Sequence, residues 1–242
     1  MLNRVTPALQ VDDRTAKNEG SILSPSVEYY DRIRISAFVG LGFRYAPISS
    51  QVPGFLHSYV RKLMEGKQFG FNGEYYLSRK VGIGFRYNRF NSHNQLDNVA
   101  IMDTAGRVQT GLLSDKITIS YTGVGVTFRI PRKRTSAVWY LHYIIGKTSF
   151  IDRAVQINPF TISGSSIASN FGLGLDFDIA PQVAISMGVS LQGGVLTSYE
   201  RDDGVRKTTV QLDKPNYEGL GRFDVGVGLS WRLARKNLKS PK

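Results

Sequence analysis

Three histidines, His57, His93 and His142, are the side chains that ordinarily change charge near neutral pH. Two of them stand beside a hydroxyl, in His57-Ser58 and Ser92-His93. A serine activated by an imidazole is acyl-transfer chemistry. Such a pair is defined by geometry, however, and neighbours in sequence do not supply it; no motif brings a third group to orient the base. There is no H-x-x-x-H spacing and no cysteine, so neither a metal site nor a cofactor is expected. Five G-x-G segments, GLGF (40–43), GIGF (82–85), GVGV (123–126), GLGL (172–175) and GVGL (226–229), do not continue as G-x-G-x-x-G into a helix, which removes a nucleotide loop. No catalytic residue follows from these side chains.

The elements that carry them are legible from alternation. From Arg32 onward, Ile33, Ile35, Ala37, Val39, Leu41, Phe43 and Tyr45 share one face, while Arg34, Ser36, Phe38, Gly40, Gly42 and Arg44 share the other. A period of two over this length is a strand. The same test predicts strands at about 67–78, 80–91, 116–130, 135–148, 165–179, 182–199 and 221–233. In the fourth, Ile117, Ile119 and Tyr121 and then Val124, Val126 and Phe128 read as one outward face that changes phase, which predicts a bulge near Thr122–Gly123 and glycines that swap faces. The fifth is apolar on both sides. Short connections (Ser78-Arg79-Lys80, Pro131-Arg132-Lys133-Arg134, Ala180-Pro181-Gln182) alternate with long ones at 47–66, 92–115, 149–164 and 200–220. Within the first long connection, apolar residues spaced by three and four over 55–64 predict a short helix between Pro53-Gly54 and Gly66.

These strands turn bulky apolar residues one way and glycine, charge and amide the other. That suits a barrel whose outer face meets lipid and whose lumen is polar. The predicted fold is all-β: an eight-stranded antiparallel transmembrane up-and-down barrel, with short periplasmic turns and long outer loops. Residues 1–31 read as a periplasmic extension, 32–233 as the barrel and 234–242 as a basic tail. A charged content of 21% does not oppose a membrane address, because a barrel hides its apolar half in alternation. Residues 1–20 lack the apolar run of a secretory signal, so the chain reads as a mature form. Tyr45, Tyr87, Tyr121, Phe128, Trp139, Phe177 and Trp231 are expected to form interfacial girdles.

The inward positions place Arg34, Arg44, Glu74, Arg86, Asp176, Asp178, Asp224 and Arg232 in the lumen as a structural network of paired charges that plugs it. Inward glycines are expected to make room for neighbours such as Phe38 and Tyr76 or to relieve strand coiling. The net charge of +12 would suit nucleic acid, but no basic stripe interleaved with aromatics appears, and no nucleic-acid partner is expected. The excess lies on the short-turn side, at Arg79, Lys80, Arg132, Lys133, Arg134, Arg235 and Lys236. It suits anionic headgroups of the inner leaflet, or a periplasmic partner.

Three stretches, VRKLMEGKQFGFNGEYYLSRKVGIGFRYNRFNSHNQLDN (60–98), LLSDKITISYTGVGVTF (112–128) and DKPNYEGLGRFDVGVGLSWRL (213–233), resemble the small outer-membrane β-barrel proteins of Bacteroidota, with OmpX- or OmpA-like barrels. The resemblance covers about 32–233. It implies an eight-stranded barrel, an outer-membrane address and contact with lipid and lipopolysaccharide, and it brings no catalytic residues. One departure is the tail ARKNLKSPK, where such barrels often stop at an aromatic residue. The expected role is non-enzymatic, structural or interactive, including that of a subunit in an envelope complex that contains a periplasmic or membrane protein partner. The alternatives are a lipid A-modifying enzyme, since some small barrels use a histidine with serine or aspartate for acyl transfer, and a soluble lipocalin-like carrier.

Overall fold

The computed structural model describes residues 29–48, 52–102, 108–131, 137–214 and 217–237. Eight strands close in an antiparallel ring: β1 (Tyr29–Arg44), β2 (Glu65–Tyr76), β3 (Val81–Met102), β4 (Val108–Pro131), β5 (Ala137–Gln156), β6 (Asn158–Ala180), β7 (Val183–Leu196) and β11 (Arg222–Asn237). Closure runs through β1 and β11, with Ala37 opposite Leu229 and Val39 opposite Val227. A hairpin of β8 (Ser198–Asp202) and β9 (Lys207–Gln211) extends the wall beside β6, and the short β10 (Glu218–Gly219) pairs with β7. Among the described residues no helix is long and apolar enough to cross a membrane; this says nothing of crossing by strands.

Alternation explains the wall. Val39, Phe69, Ile83, Val124, Ile145, Phe171, Met187 and Val227 all point outward and lie exposed, one from each strand of the ring. Toward the loop end the outward residues turn polar, at Lys67, Arg89, Thr122, Lys147 and Ser169. Above that line β3 to β6 continue. They are 22, 24, 20 and 23 residues long, whereas about 9–11 residues cross a membrane. The segments 92–115 and 149–164, expected as loops, are therefore largely strand. They pair as tall hairpins, with Ser92 opposite Ile117 and Ser149 opposite Ser165. At the tip of the second hairpin Ile157 has a φ of 68°, uncommon for a β-branched residue.

The bulge expected at Thr122–Gly123 is absent: β4 holds one register with β3 and β5 through that point. Ile117, Ile119 and Tyr121 instead point inward with Gly123 and Gly125, so the glycines keep the same face as in the other strands. The apparent phase change arises because the apolar residues of β4 serve two cores. Below, Val124, Val126 and Phe128 face outward; above, Ile117 and Ile119 face an apolar filling inside the barrel. The register shift in β3 lies between Leu96 and Val99, where Asn98 takes a φ of 56°, a conformation its short side chain tolerates.

A 3-10 turn (Gly54–Leu56) leads into α1 (His57–Leu63), the expected short helix. It lies inside the loop-end chamber. Tyr59 and Leu63 pack on Phe90, Ile117, Ile119 and Phe150, with Leu196 and Leu220 completing the cluster. Gly40, Gly226, Gly188 and Gly174 stand in one row across β1, β11, β7 and β6. A Cβ at Gly40 would come within 2.0 Å of the Val225 carbonyl oxygen, and one at Gly228 within 2.0 Å of that of Ala37. At those two positions the neighbouring backbone leaves no space for a Cβ.

Candidate functional site

The lumen holds two charged clusters, one above the other. In the lower, the Asp176 carboxylate is the common acceptor. Arg34 donates Nε to Oδ2 at 2.9 Å and Nη2 to Oδ1 at 2.8 Å. The Ser186 hydroxyl donates at 2.6 Å, that of Ser230 at 2.7 Å and Arg232 Nη2 at 3.4 Å. Arg34 Nη1 reaches Glu74 Oε1 at 2.9 Å, and the Tyr76 hydroxyl donates to Glu74 Oε2 at 2.5 Å. Arg232 Nη1 also meets Asp178 Oδ1 at 2.7 Å. The guanidinium of Arg34 lies over the Tyr140 ring and that of Arg129 over Tyr76.

In the upper cluster Arg222 grips Asp224 through Nε at 2.6 Å and Nη2 at 3.0 Å, and Nη2 also reaches Asn88 Oδ1 at 3.0 Å. Arg86 donates to Asn72 Oδ1 at 3.0 Å and Ser190 Oγ at 3.2 Å, and stacks on Phe38. The space left among Arg34, Glu74, Arg86, His142 and Asp224 is about 60 Å³, room for a few waters.

Of the eight lumen residues chosen from sequence, Arg34, Glu74, Asp176, Asp178 and Arg232 come together at the turn end, although Asp178 is partly exposed. Arg86 and Asp224 lie in the middle, and Arg44 stands apart at the loop end, paired with Glu218. Arg222 and Arg129 were not among the eight. Both are buried. Strand parity alone identifies them, since Arg222 is in phase with Asp224 and Arg129 is out of phase with Phe128. Tyr121 does not belong to a girdle: it is fully buried, its hydroxyl donating to the Ile144 carbonyl at 2.9 Å. Phe128, Trp139, Phe177 and Trp231 ring the turn end outward.

On the basic face, Lys80 is exposed, and the carbonyls of Arg79 and Lys80 accept from Arg129 at 3.2 Å and 2.7 Å. Arg132, Lys133 and Arg134 lie outside the described residues. Arg235 and Lys236 continue the backbone of β11 opposite Asp31 and Tyr30. The expected extension over 1–31 lies almost wholly outside the described residues, and β1 opens within it at Tyr29. Likewise β11 runs into the expected tail, to Asn237.

The histidines are not joined to the neighbouring serines as base and nucleophile. Ser92 points inward and donates to the Leu63 carbonyl at 2.8 Å, while His93 points out from the same strand. His57 Nε2 sits 3.0 Å from the Val52 carbonyl oxygen. His142 Nε2 sits 3.0 Å from Asn170 Oδ1 in the lumen. Among the described residues no group of three or more His, Asp or Glu is placed to hold a metal.

A second polar group lies above the outward apolar belt, beneath α1. The Tyr59 hydroxyl donates to the Asp115 carboxylate and lies 3.1 Å from the Asn94 carbonyl oxygen, while Asn94 Nδ2 donates to the Tyr59 carbonyl at 2.9 Å. Burial, reinforced by the neighbouring Asp115, pushes the Asp152 carboxyl up to about 7. Burial and then Asp115 also raise the Tyr59 phenol above its ordinary value.

This geometry defines a closed eight-stranded barrel with a plugged polar lumen and a roofed outer chamber. No family model matches the chain, and no curated protein does. Solved structures do match. The outer membrane protein OprG from Pseudomonas aeruginosa aligns with a TM-score of 0.52 at 13% identity, over 86% of this chain and 99% of that one. A major outer membrane protein from Thermus thermophilus aligns with a TM-score of 0.50 at 13% identity, over 83% and 99%. At these identities the likeness is one of fold: a small antiparallel β-barrel.

Proposed function

We propose that this protein is a non-enzymatic outer-membrane barrel whose role is structural or interactive. The observation that carries the reading is one contrast within each strand: an apolar belt faces outward on all eight strands while paired charges fill the inside. A water-soluble carrier would reverse that contrast. The fold shared with OprG and the Thermus protein, both described as outer membrane proteins, supports the address. The Bacteroidota assignment rests on the three stretches named above. The separation of His57, His93 and His142 from activated hydroxyls supports a non-enzymatic role over lipid A modification.

In this reading the tall hairpins of β3 to β6 stand clear of the membrane as an interaction surface. The basic turn side faces the periplasm, where it meets anionic headgroups or an acidic partner of an envelope complex. The test of address is extraction: the protein should require detergent and show heat-modifiable gel mobility, and solubility without detergent would overturn it. Cross-linking and co-purification from native membranes should then recover a defined partner. Hydrolysis or acylation of lipid A by the purified barrel, lost in His→Ala variants, would replace this role with the enzymatic one.

A further inference from the structure

A cavity of about 620 Å³ lies in the outer chamber above the lumen clusters. Its wall is mainly apolar, with Val60, Leu63, Ile117, Phe150, Ile162 and Leu196. Three charged side chains reach it: Arg44, Asp152 and Glu218. Arg44 and Asp152 are each more than nine-tenths buried, the former through its side chain, the latter as a residue. Arg44 spends Nη2 on Glu218 and on the Gly219 carbonyl, yet its Nε–H is buried with no acceptor. Asp152 Oδ1 is likewise buried with no partner. A buried polar atom left without a partner is costly, and both side chains border this one cavity, so a small rotation that turned them toward an occupant's polar group would satisfy both.

The two atoms narrow its chemistry. Arg44 Nε–H asks for an acceptor and Asp152 Oδ1 for a donor, and a single hydroxyl is both. An anion is disfavoured, because Glu218 already neutralises Arg44 and the Asp152 carboxyl borders the same cavity. A cation would gain Asp152 but face the Arg44 guanidinium. We infer that the outer chamber is a binding site for a neutral, hydroxyl-bearing apolar molecule, an aromatic or alicyclic alcohol, with its hydroxyl between Arg44 and Asp152 and its body against Phe150 and Ile162. The volume falls in the range of small-molecule sites that bury most of their ligand. The site lies above the apolar belt and does not depend on the function proposed above.

The test uses the full chain in lipid nanodiscs with labelled isoleucine methyls and 1-naphthol as the probe. Naphthalene and 1-naphthoate serve as controls. Ile117 and Ile162 report the cavity; Ile83 and Ile185, exposed on the wall, report partition into lipid. Naphthol should shift the Ile117 and Ile162 methyls saturably, at least tenfold more tightly than either control. Asp152→Leu should remove the preference for naphthol over naphthalene. Ile162→Phe, which fills the cavity directly across the ladder from Asp152, should abolish the Ile117 shift. Equal binding of naphthalene, tighter binding of naphthoate, shifts confined to Ile83 and Ile185, or an Ile117 response that survives Ile162→Phe would each overturn the site.

Discussion

Arg34 and Asp176 meet as a two-pronged fork at 2.9 Å and 2.8 Å, although 142 residues separate them in sequence. Their strands, β1 and β6, are not neighbours in the wall, so the pair bridges the lumen rather than a ladder. A buried pair of this kind is worth more when broken than when made, because removing one partner strands a charge.

Asp176→Ala leaves Arg34 and Arg232 without their shared acceptor. The variant is expected to lose about 3–5 kcal/mol of stability, read as a lower unfolding midpoint in urea-titrated bilayers. Adding Arg34→Met to Asp176→Leu should recover part of that loss, since it removes the stranded guanidinium while leaving Glu74 with the Tyr76 hydroxyl alone. A double variant as unstable as Asp176→Ala would show that the network acts through shape and not charge.

With about 60 Å³ free among the lumen side chains, no continuous water path is expected. The purified protein in planar bilayers should give negligible conductance. Large, stable open events would contradict the plug formed by Arg34, Arg86, Phe38 and Asp224.

The outward belt predicts a depth-dependent penalty. Val227→Arg, mid-belt and opposite Val39, should cost about 2–4 kcal/mol. Ser165→Arg, exposed on the taller part of β6, should cost under about 1 kcal/mol. Equal penalties in membrane refolding would move the belt.

The roof of the outer chamber should respond to pH. Asp152 is raised from 3.8 to about 7 in the folded protein, so the folded state holds the proton more tightly than the unfolded one. Its contribution is full below pH 4 and is lost as pH rises through 7. Amide exchange in α1 should therefore be slowest in mild acid once corrected for intrinsic rate, and Asp152→Asn should flatten the profile. Stronger protection at pH 8 than at pH 5 would reverse the assignment.

Much of the wall was legible because a period of two survives wherever one side of a strand is lipid-facing and the other packed. Ile33 to Tyr45 and Phe223 to Leu233 show it plainly. The alternation misled where the chain left the belt. Ile117 and Ile119 are apolar for a core inside the barrel, and residues 92–100 are strand although His93, Gln95 and Asp97 look like loop. Backbone pairing holds those hairpins without an apolar outer face. Parity located most of the lumen charges, but it could not show that Asp176 would be the hub. Nor could it separate Arg44 from the rest, since both depend on how far around the ring each strand stands. The reason for the glycines was only partly visible: Gly70 does leave room for the Phe38 ring, but it is also held by the Tyr87 carbonyl, and Gly40 and Gly228 are dictated by the neighbouring backbone alone.

The Asp176 hub also bears on how the chain comes to be folded. Its ligands come from β1, β7 and β11, and Glu74 on β2 completes the cluster through Arg34. No single hairpin contains the set. A half-formed sheet would expose its charges to whatever fills the unclosed side, so each early hairpin gains little from them. The Arg34–Glu74 and Asp176–Ser186 pairs lie within the β1–β2 and β6–β7 ladders, whereas the Arg34–Asp176 fork waits until β11 docks on β1, after the longest excursion along the sequence. Closure and the formation of that fork are thus one event, and a slow, cooperative last step is built into where these two residues stand.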